Sequence, residues 1–137
     1  MTLVLDASVL SEYLVGSPAG HRVAAMLSGD PDDLHIPHLA VVETASALRR
    51  WVRGGHTTSA LAEAALHDLT DFPATRWPAE PFLPRIWELR DSLTAYDATY
   101  VALAESLDAT LVTSDARLAR GAEGRTRCRI IVVAPVD

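Results

Sequence analysis

Residues 93–115 read LTAYDATYVALAESLDATLVTSD, and this stretch decides the fold because it predicts a helix that leads into a buried strand. Thr94 followed three residues later by Asp97 has the form of a capping box, and the apolar residues after it recur at helical spacing. Residues 110–113 are short, β-branched and uncharged, which is typical of a strand covered on both faces. The stretch therefore places Asp97 in the first turn of a helix and Asp115 just beyond a strand.

The same alternation of strand and helix runs through the whole chain and predicts a parallel sheet with helices on both faces. At 137 residues we expect one domain, residues 1–137. Gly, Pro and Asp crowd residues 28–33 and predict an exposed loop. The helices of residues 57–69 and 82–93 are candidates for an arm outside the main layers. The predicted strands cover residues 2–5, 34–37, 74–77, 110–113 and 129–133, and the other predicted helices cover residues 9–14, 21–27, 39–53, 94–107 and 116–120.

Composition excludes several classes of protein. No apolar run approaches the roughly 20 residues that a membrane span requires, and no leader is recognisable, so we expect no membrane contact. The single cysteine, Cys128, excludes an internal disulfide and a thiolate zinc site, and a cytoplasmic location is expected. A net charge of −6 disfavours a general electrostatic binder of nucleic acid, but it suits a nuclease whose carboxylates surround a metal. The chain has no lysine, so arginine must supply any contact with phosphate.

Acidic side chains stand at the ends of the predicted strands, where an open parallel sheet binds its ligands. Asp6 follows the first strand and Asp115 the fourth, while Glu43 and Asp97 lie near the starts of helices. If the first and fourth strands are neighbours, the four side chains can converge. Carboxylates held together repel one another without a cation, and a site made only of oxygens suits Mg²⁺ or Mn²⁺. The predicted catalytic and metal-binding residues are Asp6, Glu43, Asp97 and Asp115.

Each of these residues also has a purely structural interpretation. Asp6 and Asp115 stand where helix N-caps are expected, Asp97 can simply close its capping box, and Glu43 can complement the helix dipole or face water. The nearby hydroxyls are either caps or contacts to the site. The arginines that follow Asp115 are either a solvated surface or contacts to a phosphate backbone. The candidate supporting or substrate-binding residues are Ser8, Thr113, Ser114 and Arg117.

At these residues the sequence resembles a PIN domain of the VapC-type toxin group, which belongs to bacterial toxin–antitoxin pairs. The resemblance covers essentially the whole chain. It rests on LVLDAS at residues 3–8, VET at 42–44, YDA at 96–98, VALA at 101–104 and LVTSD at 111–115.

The resemblance implies an α/β/α sandwich with a parallel sheet of about five strands in the order 3-2-1-4-5. It implies an Mg²⁺- or Mn²⁺-dependent endoribonuclease that cleaves RNA with an activated water. The family's acidic positions fall on Asp6, Glu43, Asp97 and Asp115, and its small hydroxyl positions fall on Ser8 and Thr113. It further implies a homodimer formed through helices like those of residues 39–69, and a heterotetramer or larger assembly with a VapB-type antitoxin that enters the acidic groove. The chain departs from the family at Asp108, where Gly is common.

Other classes of protein gather acids at the same edge of a sheet. A receiver-like regulatory module needs a lysine, and the chain has none. A dehalogenase-type phosphatase needs a second Asp where Ser8 stands. A catalytically silent PIN-like module, whose acidic groove receives an arginine from a partner, stays open as the alternative.

Overall fold

The computed structural model describes residues 1–27 and 33–133. Within these residues, five parallel strands form one sheet in the order β3-β2-β1-β4-β5. The predicted α/β fold and strand order are confirmed. The strands are β1 (Leu3–Leu5), β2 (Leu34–Pro37), β3 (Thr75–Trp77), β4 (Thr110–Thr113) and β5 (Ile130–Val132). The helices are α1 (Ala7–Val15), α2 (Pro18–Met26), α3 (Leu39–Arg53), α4 (Ser59–Thr70), α5 (Leu83–Glu88), α6 (Ala95–Ser106) and α7 (Ala116–Ala122).

The two central strands, β1 and β4, set the position of the acidic residues. Every residue in both strands is buried, as expected of parallel strands covered on both faces. Leu5 pairs with Val112, and the Asp6 amide continues the ladder by donating to the Val112 carbonyl at 3.2 Å. The residues that follow the two strands therefore meet at one edge of the sheet.

Helices cover the sheet in two groups, which gives three layers. Helix α6 packs against β1, β2 and β4, and α5 packs on α6. Helix α1 contacts β4 and is surrounded by α2, α3 and α4. The seven consecutive buried residues 98–104 of α6 explain why its sequence is rich in alanine, because small side chains allow a helix to approach a sheet closely.

The arm predicted for residues 82–93 is wrong. This segment is a 3₁₀ turn (Glu80–Phe82) followed by α5, which ends at Glu88 rather than at residue 93. Four of its apolar side chains belong to the main core, namely Phe82, Ile86, Leu89 and Leu93. Helix α4 is not an arm either, because it packs on α1 and α3.

The start of α2 also differs from the prediction, and glycine is the reason. The helix begins at Pro18 instead of residue 21, with the Ser17 side chain as its N-cap. Gly16 ends α1 with φ 71°, but Gly20 lies inside α2. A Cβ at Gly20 would lie 2.0 Å from the Glu12 carbonyl oxygen, so this glycine allows α1 and α2 to pack closely rather than breaking a helix.

Two further expectations concern loops and membranes. Apart from Asp33, the loop predicted for residues 28–33 lies outside the described residues. In the part of the chain that the structure describes, no helix combines the length and the apolar character that crossing a membrane would require.

Candidate active site

A pocket of about 200 Å³ opens at the carboxyl edge of the sheet, and all four predicted acidic residues line it. They come from four different places in the chain: the residue after β1, the second turn of α3, the first turn of α6 and the second residue after β4. The complete lining is Asp6, Ala7, Ser8, Glu43, Ser46, Ala47, Arg50, Asp97, Tyr100 and Asp115.

Asp6 is the buried centre of this pocket, with only 4% of the residue exposed. It is the N-cap of α1, since its Oδ1 accepts from the Val9 amide at 3.2 Å. The same Oδ1 accepts from the Ser8 hydroxyl at 2.5 Å, and Oδ2 accepts from the Thr113 hydroxyl. Asp6 is therefore both the N-cap of α1 and a carboxylate of the pocket.

Burial raises the pKa of Asp6 from 3.8 to about 6, although hydrogen bonds from Ser8, Thr113 and Val9 oppose this change. Burial disfavours the charged form because the ion leaves water. Ionised Asp6 is therefore held at a cost in free energy, and a cation at this place would offset that cost.

Asp97 and Asp115 lie close enough to influence each other. The pKa of Asp97 is raised first by burial and then by the negative charges of Asp115 and Glu43. The Asp97 amide donates to the Thr94 side chain at 3.1 Å, so half of the predicted capping box is present. Asp115 caps α7 by accepting from the Arg117 amide at 2.9 Å. The repulsion among these carboxylates is what a cation-binding cluster shows before its ion is bound.

Glu43 is held by Tyr100, whose hydroxyl donates to Glu43 Oε1 at 2.6 Å. The pKa of Tyr100 is raised well above its usual value, first by burial and then by this carboxylate. Tyr100 is one of two functional candidates absent from the sequence-based prediction, where it counts only among the apolar residues that recur at helical spacing. The signal was its position three residues after Asp97, which puts both side chains on one helix face.

Arg50 is the second missed residue. It lies seven residues after Glu43, which is two helical turns along the same face of α3, and its side chain lines the pocket. It is absent from the sequence-based prediction, because its place among Arg49, Arg50 and Arg53 near the end of a predicted helix does not reveal which face points to the acids.

The remaining predicted residues lie around the pocket in different roles. Ser8 accepts from the Ser114 amide at 2.9 Å, and Thr113 accepts from the Asp115 amide at 2.9 Å, so these hydroxyls join the ends of β1 and β4. Ser114 contributes its backbone and does not line the pocket. The side chain of Arg117 is 86% exposed, and its Nε lies 3.8 Å from Asp115 Oδ1, at the rim.

The arginines near the C-terminus do not flank the acids as a group. Arg125 and Arg127 line a different cavity of about 620 Å³ together with Asp108. Asp108 lies beyond the C-terminal end of α6, whereas Asp97 lies in the first turn of this helix, and the part of the helix from Asp97 to its end spans about 14 Å along the axis. These two arginines are therefore at the opposite edge of the sheet.

The donor set matches a hard divalent cation. Four carboxylates and the Ser8 hydroxyl line the pocket and offer only oxygen, which Mg²⁺ and Mn²⁺ prefer. Across residues 1–27 and 33–133, no three Asp, Glu, His or Cys side chains are already drawn together into a metal-binding group. The carboxylates line the pocket without meeting at one point.

Comparison with known proteins agrees with this geometry. A family model described as the PIN domain matches residues 3–124. The chain belongs to the PIN domain family. The resemblance predicted from the sequence is thereby confirmed.

Individual PIN-domain relatives match nearly end to end. Ribonuclease VapC9 of Mycobacterium tuberculosis is 39% identical over 131 residues, which are 96% of this chain and 98% of the relative. The crystal structure of PAE2754 from Pyrobaculum aerophilum has a TM-score of 0.66 at 27% identity and covers 95% of this chain and 83% of its own. A toxin–antitoxin complex from Klebsiella pneumoniae has a TM-score of 0.67 at 14% identity, with coverage of 98% and 100%, and supports the fold alone.

Proposed function

We propose that this PIN-domain protein is an Mg²⁺- or Mn²⁺-dependent endoribonuclease that acts as the toxin of a toxin–antitoxin pair. The observation that carries the proposal is the single pocket lined by Asp6, Glu43, Asp97 and Asp115. The substrate class is supported by the relative named as a ribonuclease, which matches 96% of this chain at 39% identity.

Asp6, Asp97 and Asp115 are the residues that would hold the cation, with Glu43 beside them. When bound, a divalent ion supplies Lewis acidity, which lowers the pKa of a water molecule and stabilises negative charge on the reacting phosphate.

The chain's own groups orient the reaction. The Ser8 and Thr113 hydroxyls fix both oxygens of Asp6. Tyr100 engages Oε1 of Glu43, which leaves Oε2 to orient the attacking water and accept its proton. The water attacks phosphorus in line as the bond from phosphorus to the 3′ oxygen breaks, and the released 3′ oxygen takes up a proton from solvent. Positioning of this kind supplies much of the rate enhancement in such reactions.

A VapB-type antitoxin is the proposed partner. A neighbour in fold was solved as a toxin–antitoxin complex, and the acidic pocket suits a basic segment of a partner. Helices α3 and α4 pack on each other, and each exposes a large apolar side chain, Val42 at 64% and Leu61 at 55%. We place the interface of the proposed homodimer on these helices, and we propose a heterotetramer or larger assembly with the antitoxin.

The test is cleavage of RNA by purified protein in Mn²⁺ or Mg²⁺, compared with the same reaction in EDTA. We expect cleavage with either ion, none in EDTA, and recovery when excess ion is restored. Asp97→Asn should lose cleavage and retain the fold, because Asn has the shape of Asp and the Thr94 cap accepts from the backbone amide of residue 97, which the substitution keeps. Asp91→Asn, a solvent-exposed control outside the pocket, should cleave like the wild type.

The same preparation separates the enzyme from the silent binding module. A protein that binds a basic antitoxin segment in the pocket, but cleaves no RNA with any divalent ion, would support the binding module. Metal-dependent cleavage that Asp97→Asn abolishes would support the enzyme.

A further inference from the structure

One face of α3 leads from the acidic pocket to a basic side chain. Four residues of α3 line the pocket, and the last three lie three, four and seven positions after the first. They are Glu43, Ser46, Ala47 and Arg50. Residues at this spacing lie on one side of a helix. The Arg50 Cα is about 10 Å along the helix axis from that of Glu43, a span that the long arginine side chain can largely cover.

Arg50 stands out by its charge. In the described part of the chain, it is the one cationic residue among those lining this pocket, which otherwise carries four carboxylates. A phosphodiester carries a negative charge and is repelled by these carboxylates wherever a bound cation does not neutralise them. A fixed positive charge at the pocket edge attracts the phosphodiester and offsets this repulsion.

The guanidinium of Arg50 also keeps most of its hydrogen-bond donors available for a ligand. Its Nη1 donates one long hydrogen bond, 3.4 Å, to the Ser46 hydroxyl, and no carboxylate of residues 1–27 or 33–133 forms an ion pair with it. Arg85 shows the contrast, since Glu105 binds it through two hydrogen bonds of 2.8 and 2.9 Å. An arginine with free donors presents a planar fork that matches two phosphate oxygens.

We propose that Arg50 is a substrate-binding residue that engages a phosphate of the RNA backbone as the strand enters the acidic pocket. The inference rests on the proposed ribonuclease function and names the residue through which this site holds its substrate. Ser46 supports the side chain of Arg50 from one turn earlier on the same face.

The test compares Arg50→Ala and Arg50→Lys with Arg127→Ala, which removes the same charge from the cavity at the opposite edge of the sheet. Cleavage of a short single-stranded RNA is measured over a range of substrate concentrations. Binding of the same RNA is measured in the inactive Asp97→Asn background over a range of salt concentrations, so that binding is read without cleavage. Thermal unfolding checks that each variant is folded.

Loss of a charge-assisted hydrogen bond corresponds to a change of about tenfold or more. We expect Arg50→Ala to raise KM and Kd by about this factor, and to reduce the slope of log K against log salt by about 0.7, as removal of one contact to a single-stranded phosphate requires. Arg50→Lys should keep the salt slope and recover part of the affinity, because it keeps the charge and loses the fork. Arg127→Ala should match the wild type.

A failure of the Arg50 assignment and a failure of the ribonuclease proposal give different results. If the wild type cleaves RNA and Arg50→Ala has the KM, Kd and salt slope of Arg127→Ala, the assignment of Arg50 is overturned and the ribonuclease proposal stands. If the wild type binds RNA without cleaving it, the ribonuclease proposal falls while the salt slopes still decide the role of Arg50. A wild type that neither binds nor cleaves RNA overturns both.

Discussion

In the cation-free protein, the effect of Asp6→Asn on the free energy of unfolding should depend on pH. The variant should gain stability relative to the wild type as the pH rises from about 4.5 to about 8, even though it lacks a proposed metal ligand. The folded protein raises the pKa of Asp6 from 3.8 to about 6. A carboxyl whose pKa is higher in the folded state binds more protons there than in the unfolded chain. The contribution of Asp6 to the free energy of unfolding is therefore greatest below pH 3.8, and it falls as the pH rises through about 6.

The size of the effect follows from the change in pKa. Each pKa unit corresponds to about 1.4 kcal/mol, so ionisation of buried Asp6 lowers the free energy of unfolding by about 3 kcal/mol once the pH is well above 6. About 2 kcal/mol of this should appear between about pH 4.5 and about pH 8. Asn does not ionise. Its amide replaces one oxygen that accepts from Ser8 or Thr113, at a cost of about 1–2 kcal/mol that does not depend on pH.

The assay is urea unfolding of wild type and Asp6→Asn without divalent ions, from about pH 4.5 to about pH 8. We expect the stability of the variant minus that of the wild type to rise by about 2 kcal/mol across this range. Added Mn²⁺ should stabilise the wild type at high pH and affect the variant less. Parallel pH profiles for the two proteins would refute the argument that Asp6 is held as a costly buried charge.

Two other substitutions test separate parts of the structure. Tyr100→Phe removes the hydrogen bond to Glu43 and should slow RNA cleavage about tenfold with the secondary structure unchanged in circular dichroism; an unaltered rate would show that Tyr100 does not orient Glu43. Asp108→Gly should raise the free energy of unfolding by about 1 kcal/mol in urea, because Asp108 has φ 50° beyond the C-terminal end of α6, where L-residues are strained and a negative charge is unfavourable. A less stable variant would mean that Asp108 makes a compensating interaction in the folded protein.

The central strands and the acids at their ends could be read from sequence because both signals are local. A short uncharged run followed at once by an Asp, as at Asp6 and near Asp115, fixes where a strand ends and which edge of the sheet the carboxylate occupies. The order of the strands is not local. It came from the family resemblance, and the structure agrees with it.

The misplaced elements depended on tertiary packing. Ser17 and Pro18 together mark a helix start, whereas the predicted helices leave out residues 15–20. Only the contact between Gly20 and α1 shows why glycine is required within the helix. The apolar spacing of residues 82–93 was read as a continuous helix. The structure instead ends α5 at Glu88 and places Leu89 and Leu93 in the core beyond the helix, in a segment of turns.

The missed members of the site, Tyr100 and Arg50, depend on which helix face meets the pocket. Helical spacing predicts that Tyr100 shares a face with Asp97, and Arg50 with Glu43. Sequence alone does not reveal that α6 turns this face partly toward the carboxylates as well as the core. The hydrogen bond between Tyr100 and Glu43 joins residues 57 positions apart, and no local pattern predicts it.

The proposed function requires four acidic side chains to act together on RNA through a divalent cation. The most direct measurement is the cleavage rate of one RNA substrate by purified wild type and Asp97→Asn, each with Mn²⁺ and each with EDTA. We predict rapid cleavage by the wild type with Mn²⁺ and background rates in the other three reactions. Cleavage that persists in EDTA, or that Asp97→Asn leaves intact, would contradict the account.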